Sequence, residues 1–377
     1  MNIELILSIV LYFSVLLLCL IAANRAKYTP RMSFWFIVIV LTLLAGLRHQ
    51  SVGIDTVNYV DLLMPLKEGF SWQQNNINEP GFLFLSYVLL NISNGYTLMF
   101  TVFAFIINYF TIKRLFDLRS EISFPWAIFI FFMQYYFTSF NTVRQWIAMA
   151  ILFYFSKYIG DKKGGTLKFI IAVAVATMFH KTALIMIALV PLFFLLRKSR
   201  TISHQIIKMT MIILAPIVMC GLLVYIQVNY SIYQNISSPQ DISIVAIVRL
   251  LFLIFMLIMS SIDARYNTSD IGLNNDSNVE LIRVKDKERL ETAITVLGVI
   301  CTLMVFFFKY ADRLASYFMM FEMIVYPRYI KSSRLKLFVQ IFVLVLFAFL
   351  RIMSFRANGY GESVYHFAWE QVESIIQ

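Results

Sequence analysis

Long apolar runs recur along the whole chain, separated by short polar and basic segments. A helix needs about 20 apolar residues to cross a bilayer, and fewer where the membrane thins or the span is recessed in protein. Spans are predicted at Ile3–Ala23, Phe34–Leu47, Leu98–Ile112, Phe124–Phe140, Val143–Ile159, Phe169–Phe179, Thr182–Leu196, Ile206–Val228, Ile244–Ile262, Ala293–Phe308, Leu314–Tyr326 and Leu337–Leu350. Phe82–Leu90 is apolar but too short to cross, and Asn91 and Asn94 follow it. The expected fold is an all-α polytopic membrane protein, with about twelve transmembrane helices plus one short re-entrant or interfacial helix. Residues 1–377 form a single integral membrane domain, with no repeat at a fixed period and no separate soluble domain.

Charge between the runs orders them. Arg25, Lys27 and Arg31 follow the first span; Lys113, Arg114 and Arg119 the third; Lys157, Lys162, Lys163 and Lys168 the fifth. Arg197, Lys198, Arg200 and Lys208 follow the seventh. Arg283, Lys285, Lys287 and Arg289 close the loop after the ninth, and Arg328, Lys331, Arg334 and Lys336 follow the eleventh. These clusters alternate with loops poor in Lys and Arg, such as Asn229–Ser243, so the basic loops are assigned to the cytoplasm. Phe169–Leu196 then goes out and comes back, turning at His180-Lys181; the rival, one long span, places Lys181 near mid-membrane at considerable cost. Both termini are external by the same parity. Residues 48–81 form an external loop too long to be a mere connector. Residues 263–289 form a polar cytoplasmic loop expected to be partly disordered.

Composition agrees. The chain is 60% hydrophobic and only 14% charged, whereas soluble domains are about a quarter charged. Its 36 Phe and 20 Tyr suit lipid-facing and interfacial positions. A net charge of +11 invites nucleic acid, but cationic cytoplasmic loops account for it, so no nucleic-acid partner is expected. Cys19, Cys220 and Cys301 are isolated in apolar segments and indicate neither zinc nor a disulfide framework. Ile3–Ala23 is followed by Asn24, Arg25 and Lys27 rather than a cleavage site, and reads as a retained first helix.

Against this background some polar residues stand out. Arg48, Arg144, Arg313 and Arg351 sit at span ends on one side of the membrane, with His180 and Lys181 nearby. Arginine is poorly tolerated beside lipid, and guanidinium binds phosphate with a geometry that ammonium lacks. Asp55 and Tyr59 share a helix face if a helix starts at Asp55. On spacing alone the simpler reading is that Arg48 ends one helix and Asp55 caps the next. Glu79-Pro80-Gly81 marks a turn into a helix whose dipole favours Glu79. Arg144-Gln145 follows Tyr135, Tyr136, Thr138, Ser139 and Asn141, a run suited to a wet cavity. His180 is either a base or a hydrogen-bonding residue of the fold. Arg313 and Tyr317 share a face, and Asp312 has Lys309 or Arg313 as a partner. Arg351 and Arg356 end the last span before a tail with Glu362, His366 and Glu370. No P-loop, GxGxxG, HExxH or metal-ligand spacing is present.

The stretches Arg48-x-x-x-Val52-Gly53-x-Asp55-x-x-x-Tyr59, Glu79-Pro80-Gly81, Val143-Arg144-Gln145-x-x-Ala148 and Phe179-His180-Lys181-Thr182-Ala183, in that order, resemble the EpsG family of polysaccharide-biosynthesis membrane proteins. That family is similar to Wzy-type O-antigen and capsule polymerases. The resemblance implies a metal-independent glycosyltransferase without cofactor, joining oligosaccharide units carried on polyprenyl diphosphate at the outer face of a bacterial inner membrane. A chain-length regulator is an implied partner, besides membrane lipid and the lipid-linked oligosaccharide. Arg48, Arg144 and Arg313, with Gln145 and Lys181, are then expected to bind substrate. Tyr59 and Tyr317 contact sugar or phosphate. His180, Asp55 or Glu79 activates the acceptor hydroxyl. The rival functions are a ligase on the same carrier, a flippase, which would show internal repeats, and an anion channel or transporter.

Overall fold

In a computed structural model, residues 3–73, 77–93, 95–161, 164–196, 275–304, 311–333, 336–356 and 361–370 are described, with 247, 251–252, 254–255 and 358. The predicted spans at Ile206–Val228 and, for the most part, Ile244–Ile262, and the basic residues Lys162, Lys163, Arg197, Lys198, Arg200, Lys208 and Arg334, lie outside them. The described residues are mostly helical and form no strand; a lone antiparallel bridge joins Arg48 to Phe367.

The elements are α1 (Ile3–Arg25), α2 (Pro30–Gly46), α3 (Thr56–Leu63), α4 (Pro80–Ile92), α5 (Thr97–Asp117), α6 (Phe124–Ile130), α7 (Val143–Phe155), α8 (Gly165–Phe179), α9 (Leu189–Leu196), α10 (Asn275–Met304), α11 (Ala311–Met319), α12 (Glu322–Ser332) and α13 (Lys336–Arg356). They fall into two compact units. The first comprises 1–157, 167–185 and 326–377; the second, 158–166 and 186–325.

The core of the first unit is the stretch from α6 into α7. Phe131–Tyr136 is a π-helical turn and Phe137–Phe140 a 3-10 turn. Rings fill this stretch: Phe132 stacks on Tyr136 at 5.2 Å, and Phe137 meets Phe140 at 5.6 Å. The wide turn brings the Tyr136 hydroxyl to Leu41 O at 2.6 Å. Around this core α5 packs on α2 and α7, α1 on α2 and α6, and α13 on the π-helical turn. The outer helices bury one face only. Leu7, Val10, Phe13 and Leu17 of α1 and Phe338, Ile341, Val345 and Phe349 of α13 are exposed, the surface a bilayer covers.

Among the described residues three helices, α1, α5 and α13, are long and apolar enough to cross a membrane. The chain is thus an α-helical membrane protein, while the expectation of about twelve full spans is met only in part: α2, α4, α8 and the Lys181–Leu196 segment are apolar but shorter. α4, predicted as a short interfacial or re-entrant piece, is a helix of 13 residues. Leu314–Tyr326, predicted as one span, is broken at Met320-Phe321 between α11 and α12. The second half of the predicted cytoplasmic loop is helical, since α10 begins at Asn275. In the second unit α10 packs on α9 and α11, and Lys287 reaches Asp161 at 2.7 Å. A Cβ at Gly160 would lie 2.1 Å from the Phe193 ring. Gly160, which precedes α8, and Phe193 of α9 thus lie against each other.

α2 and α5 cross closely because Gly46 has no side chain: a Cβ there would lie 2.5 Å from Thr101 Cα. Small residues permit such crossings in membranes. Gly46→Val is expected to destabilise the first unit by about 1–3 kcal/mol, read as a lower unfolding midpoint in detergent. An unchanged midpoint would refute this packing.

Candidate functional site

The site starts with the C-terminus of α2. The last carbonyls of a helix lack intrahelical partners and must find others. Leu44 O accepts from the Tyr365 hydroxyl at 2.8 Å, Leu47 O from Ala368 N at 2.8 Å, and Ala45 O from Arg48 Nη1. Arg48 Nη2 reaches Phe140 O at 3.2 Å, and its guanidinium lies 4.7 Å from the centroids of both Phe100 and Phe140. A cation here also opposes the negative end of the helix dipole. Arg48 is 2% exposed, enclosed by the fold.

The loop after Arg48 turns at Gly53, whose φ of 98° favours glycine. A Cβ at Gly53 would also meet Thr56 Oγ1 at 2.6 Å. Asn141 Oδ1 accepts from Asp55 N at 3.2 Å, tying the start of α3 to the residues that enter α7. Asp55 precedes α3 as its N-cap residue without a side-chain capping bond. Tyr59, one turn on, is buried and faces Arg144, whose guanidinium carbon lies 5.9 Å from the ring centroid.

Glu79 precedes Pro80, the first residue of α4. Proline suits that position and holds the residue before it extended; Glu79 has φ −97° and ψ 102°. Its carboxylate makes no capping bond to α4. Oε2 accepts from Arg144 Nη1 at 2.7 Å, and Oε1 lies 3.5 Å from His180 Nδ1. Gly81 makes this possible: a Cβ there would lie 2.9 Å from Met178 Cβ, so the start of α4 rests directly on the last turn of α8. His180 directly follows α8, with its N–H on Ala176 O at 2.9 Å, and Ala183 N bonds to His180 O to begin the 3-10 helix Lys181–Ala188.

Arg144 sits in the first turn of α7, where the helix dipole disfavours a cation. Glu79 offsets this, and being at the start of α4 it is itself favoured by that helix's dipole. The Glu79 side chain is 6% exposed and that of Arg144 25%, so the guanidinium keeps an open side. Burial pushes the Glu79 carboxyl up, but the contact with His180 and the charge of Arg144 outweigh it, leaving its pKa below the ordinary value. Burial raises the Tyr59 hydroxyl more than Arg144 lowers it, so Tyr59 stays protonated at neutral pH.

Of the residues singled out in the sequence, Tyr59, Glu79, Arg144 and His180 meet here, and Asp55 joins through Asn141. Gln145 is buried and Lys181 exposed beside them in sequence. Arg351 forms an ion pair with buried Glu362 instead. Arg313 is exposed and Tyr317 fully buried in the second unit, where Asp312 Oδ1 accepts from Arg313 N at 2.6 Å. Lys309, the other predicted partner of Asp312, lies outside the described residues. Among the described residues no three His, Cys, Asp or Glu side chains are placed to hold a metal ion. Sequence reasoning missed the contact of Gly81 with Met178 and the return of the C-terminal segment onto α1 and α2; no local signal marks either.

The depressed pKa of Glu79 has a signed consequence. An unfolded Glu titrates near about 4.3. The stabilisation from Glu79 is therefore complete above that value and is lost as pH falls through the lower folded pKa. Glu79→Gln is expected to melt below wild type at neutral pH, the difference vanishing only below about pH 4, in detergent melts across pH. A difference that persists unchanged in acid would contradict the charge pairing.

No curated protein and no solved structure matches the chain. A family model, that of the EpsG family, matches residues 31–367, which include Arg48, Tyr59, Glu79, Arg144 and His180. On that match the chain belongs to the EpsG family, whose members are polysaccharide-biosynthesis membrane proteins.

Proposed function

We propose that this chain is a polymerase that joins oligosaccharide units carried on polyprenyl diphosphate, at the outer face of a bacterial inner membrane. The observation that carries the reading is one carboxylate, Glu79, held between a guanidinium and an imidazole. Both Glu79 oxygens are engaged, so Glu79 is the orienting group and His180 the base. A Glu79 contact at Nδ1 favours the proton on that nitrogen and leaves Nε2 to accept one. The acceptor hydroxyl oxygen attacks the anomeric carbon of the growing glycan. The bond from that carbon to the carrier diphosphate breaks, the diphosphate leaves with the electron pair, and the hydroxyl proton passes to His180 Nε2.

Arg144 meets the developing charge on the leaving diphosphate from its open side. The neutral Tyr59 hydroxyl adds a donor. Arg48 braces Phe140, next to Asn141, and so holds the segment from which Arg144 projects. This assignment makes Arg48 a positioning residue and does not use Arg313 or Tyr317. The exposed apolar faces of α1 and α13 support the reading, since a polyprenyl carrier would reach the protein through lipid.

The test is a strain lacking its own copy and carrying His180→Ala or Arg144→Ala at equal membrane level. Polymer is expected to fall by at least about a hundredfold, with single units still reaching the surface. Long-chain glycan in His180→Ala would overturn the role of the imidazole. Finished chains accumulating on carrier would favour a ligase instead.

A further inference from the structure

Residues 361–370 follow α13 and supply none of the four side chains of the site, yet they are bonded to the loop that leads into it. His49 N donates to His366 O at 2.8 Å, and Gly53 N to Gly361 O at 2.9 Å. Arg48 and Phe367 pair as an antiparallel bridge beside the first of these bonds. Gly361 has a φ of 68°, and a Cβ there would lie 2.7 Å from Ile54 N, so only glycine lets the two backbones approach this closely. On its other side the segment is fastened to α1: Tyr12 donates to Glu362 O at 2.8 Å, and Tyr365 N to Ser8 Oγ at 2.8 Å. The anchor is Glu362, fully buried and paired with Arg351, whose guanidinium lies 4.5 Å from the Phe137 centroid. Ser354 lies between them, 3.1 Å from Arg351 Nη2 and 3.5 Å from Glu362 Oε1.

The strap touches one half of the site. The loop 49–55 leads into α3 and hence to Tyr59. Glu79 and His180 stand at the ends of α4 and α8, which meet through Gly81 and Met178. We propose that Glu362, held by Arg351, is a positioning residue: it anchors a C-terminal strap that sets the loop 49–55, and with it Tyr59, over Arg144. The inference rests on the reading of Tyr59 and Arg144 as substrate-binding. Loosening the strap therefore weakens binding and spares the base.

The test uses the full chain in proteoliposomes, with the lipid-linked repeat unit extracted from the producing cell as substrate. Glu362→Gln is expected to raise KM about tenfold and to change kcat by less than about twofold, while Glu362→Asp stays within about twofold of wild type in both. Hydrogen exchange should quicken at the His49 and Gly53 amides and not at Leu83, whose N–H bonds Glu79 O at 3.0 Å. If Glu362→Gln does not accumulate as a monodisperse protein, Tyr12→Phe, which removes a hydrogen bond but no charge, is expected to raise KM about fivefold with kcat within about twofold. Wild-type KM with unchanged exchange overturns the proposal, as does a fall in kcat alone. Activity in His180→Ala would defeat the catalytic reading and leave the exchange result standing.

Discussion

Charge buried in a membrane protein must be matched where it stands, because neither lipid nor a packed interior solvates it. The Glu79 carboxylate meets that demand for two cationic or polar neighbours at once. It also reconciles an awkward placement: Arg144 opens a helix, at the end that repels cations. A guanidinium kept there by an acid from another helix is held in tension with its own backbone. Such a group has more to gain from an incoming anion than one at a helix C-terminus, where Arg48 lies. The two arginines, similar in the primary structure, thus have opposite electrostatic settings. That contrast is why one is read as a binding group and the other as a brace.

The backbone imposes its own constraint. The end of α2 presents carbonyls that water cannot reach within the fold, and side chains and loop amides from distant parts of the chain converge on them. The convergence draws Arg48, Tyr365 and Ala368 to one place, so the loop bearing Gly53 starts from a fixed point. Glycines do the rest by omission. Gly46 lets α2 approach α5, and Gly81 lets α4 approach α8. Each removes a side chain where two backbones must nearly touch, and each fixes the relation between elements that carry parts of the site.

Hydropathy made most helices legible, because an apolar run long enough to matter has few other fates in a chain this poor in charge. It did not reveal their ends or their internal form. α5 runs on to Asp117, past the predicted Ile112, because Lys113 pairs with Asp117 one turn away and continues the helix in polar residues. Phe124–Phe140 reads as an ordinary span, since hydropathy is blind to a change of hydrogen-bond register such as the π turn at Phe131–Tyr136. Asn275 opens a helix in a stretch whose polarity suggested disorder. Glu79, Arg144 and His180 were visible as residue types at suggestive positions. Their meeting was not, for it depends on Gly81 resting on Met178. Glu362 looked like an acid in an ordinary tail, because its burial depends on Arg351 and Tyr12, and nothing local announces either.

The bond from Tyr12 to Glu362 joins residues that a ribosome makes far apart in time. α1 must wait in the bilayer, its Ser8 and Tyr12 hydroxyls satisfied otherwise, until residues 362–365 have been made. Contacts of such sequence separation form late. A nascent chain interrupted before residue 361 would hold the described helices and still lack the clasp over the loop 49–55. The loop 49–55 is in this way fastened only after α13 and the strap beyond it have been made, so copies interrupted before residue 361 would carry that loop unset.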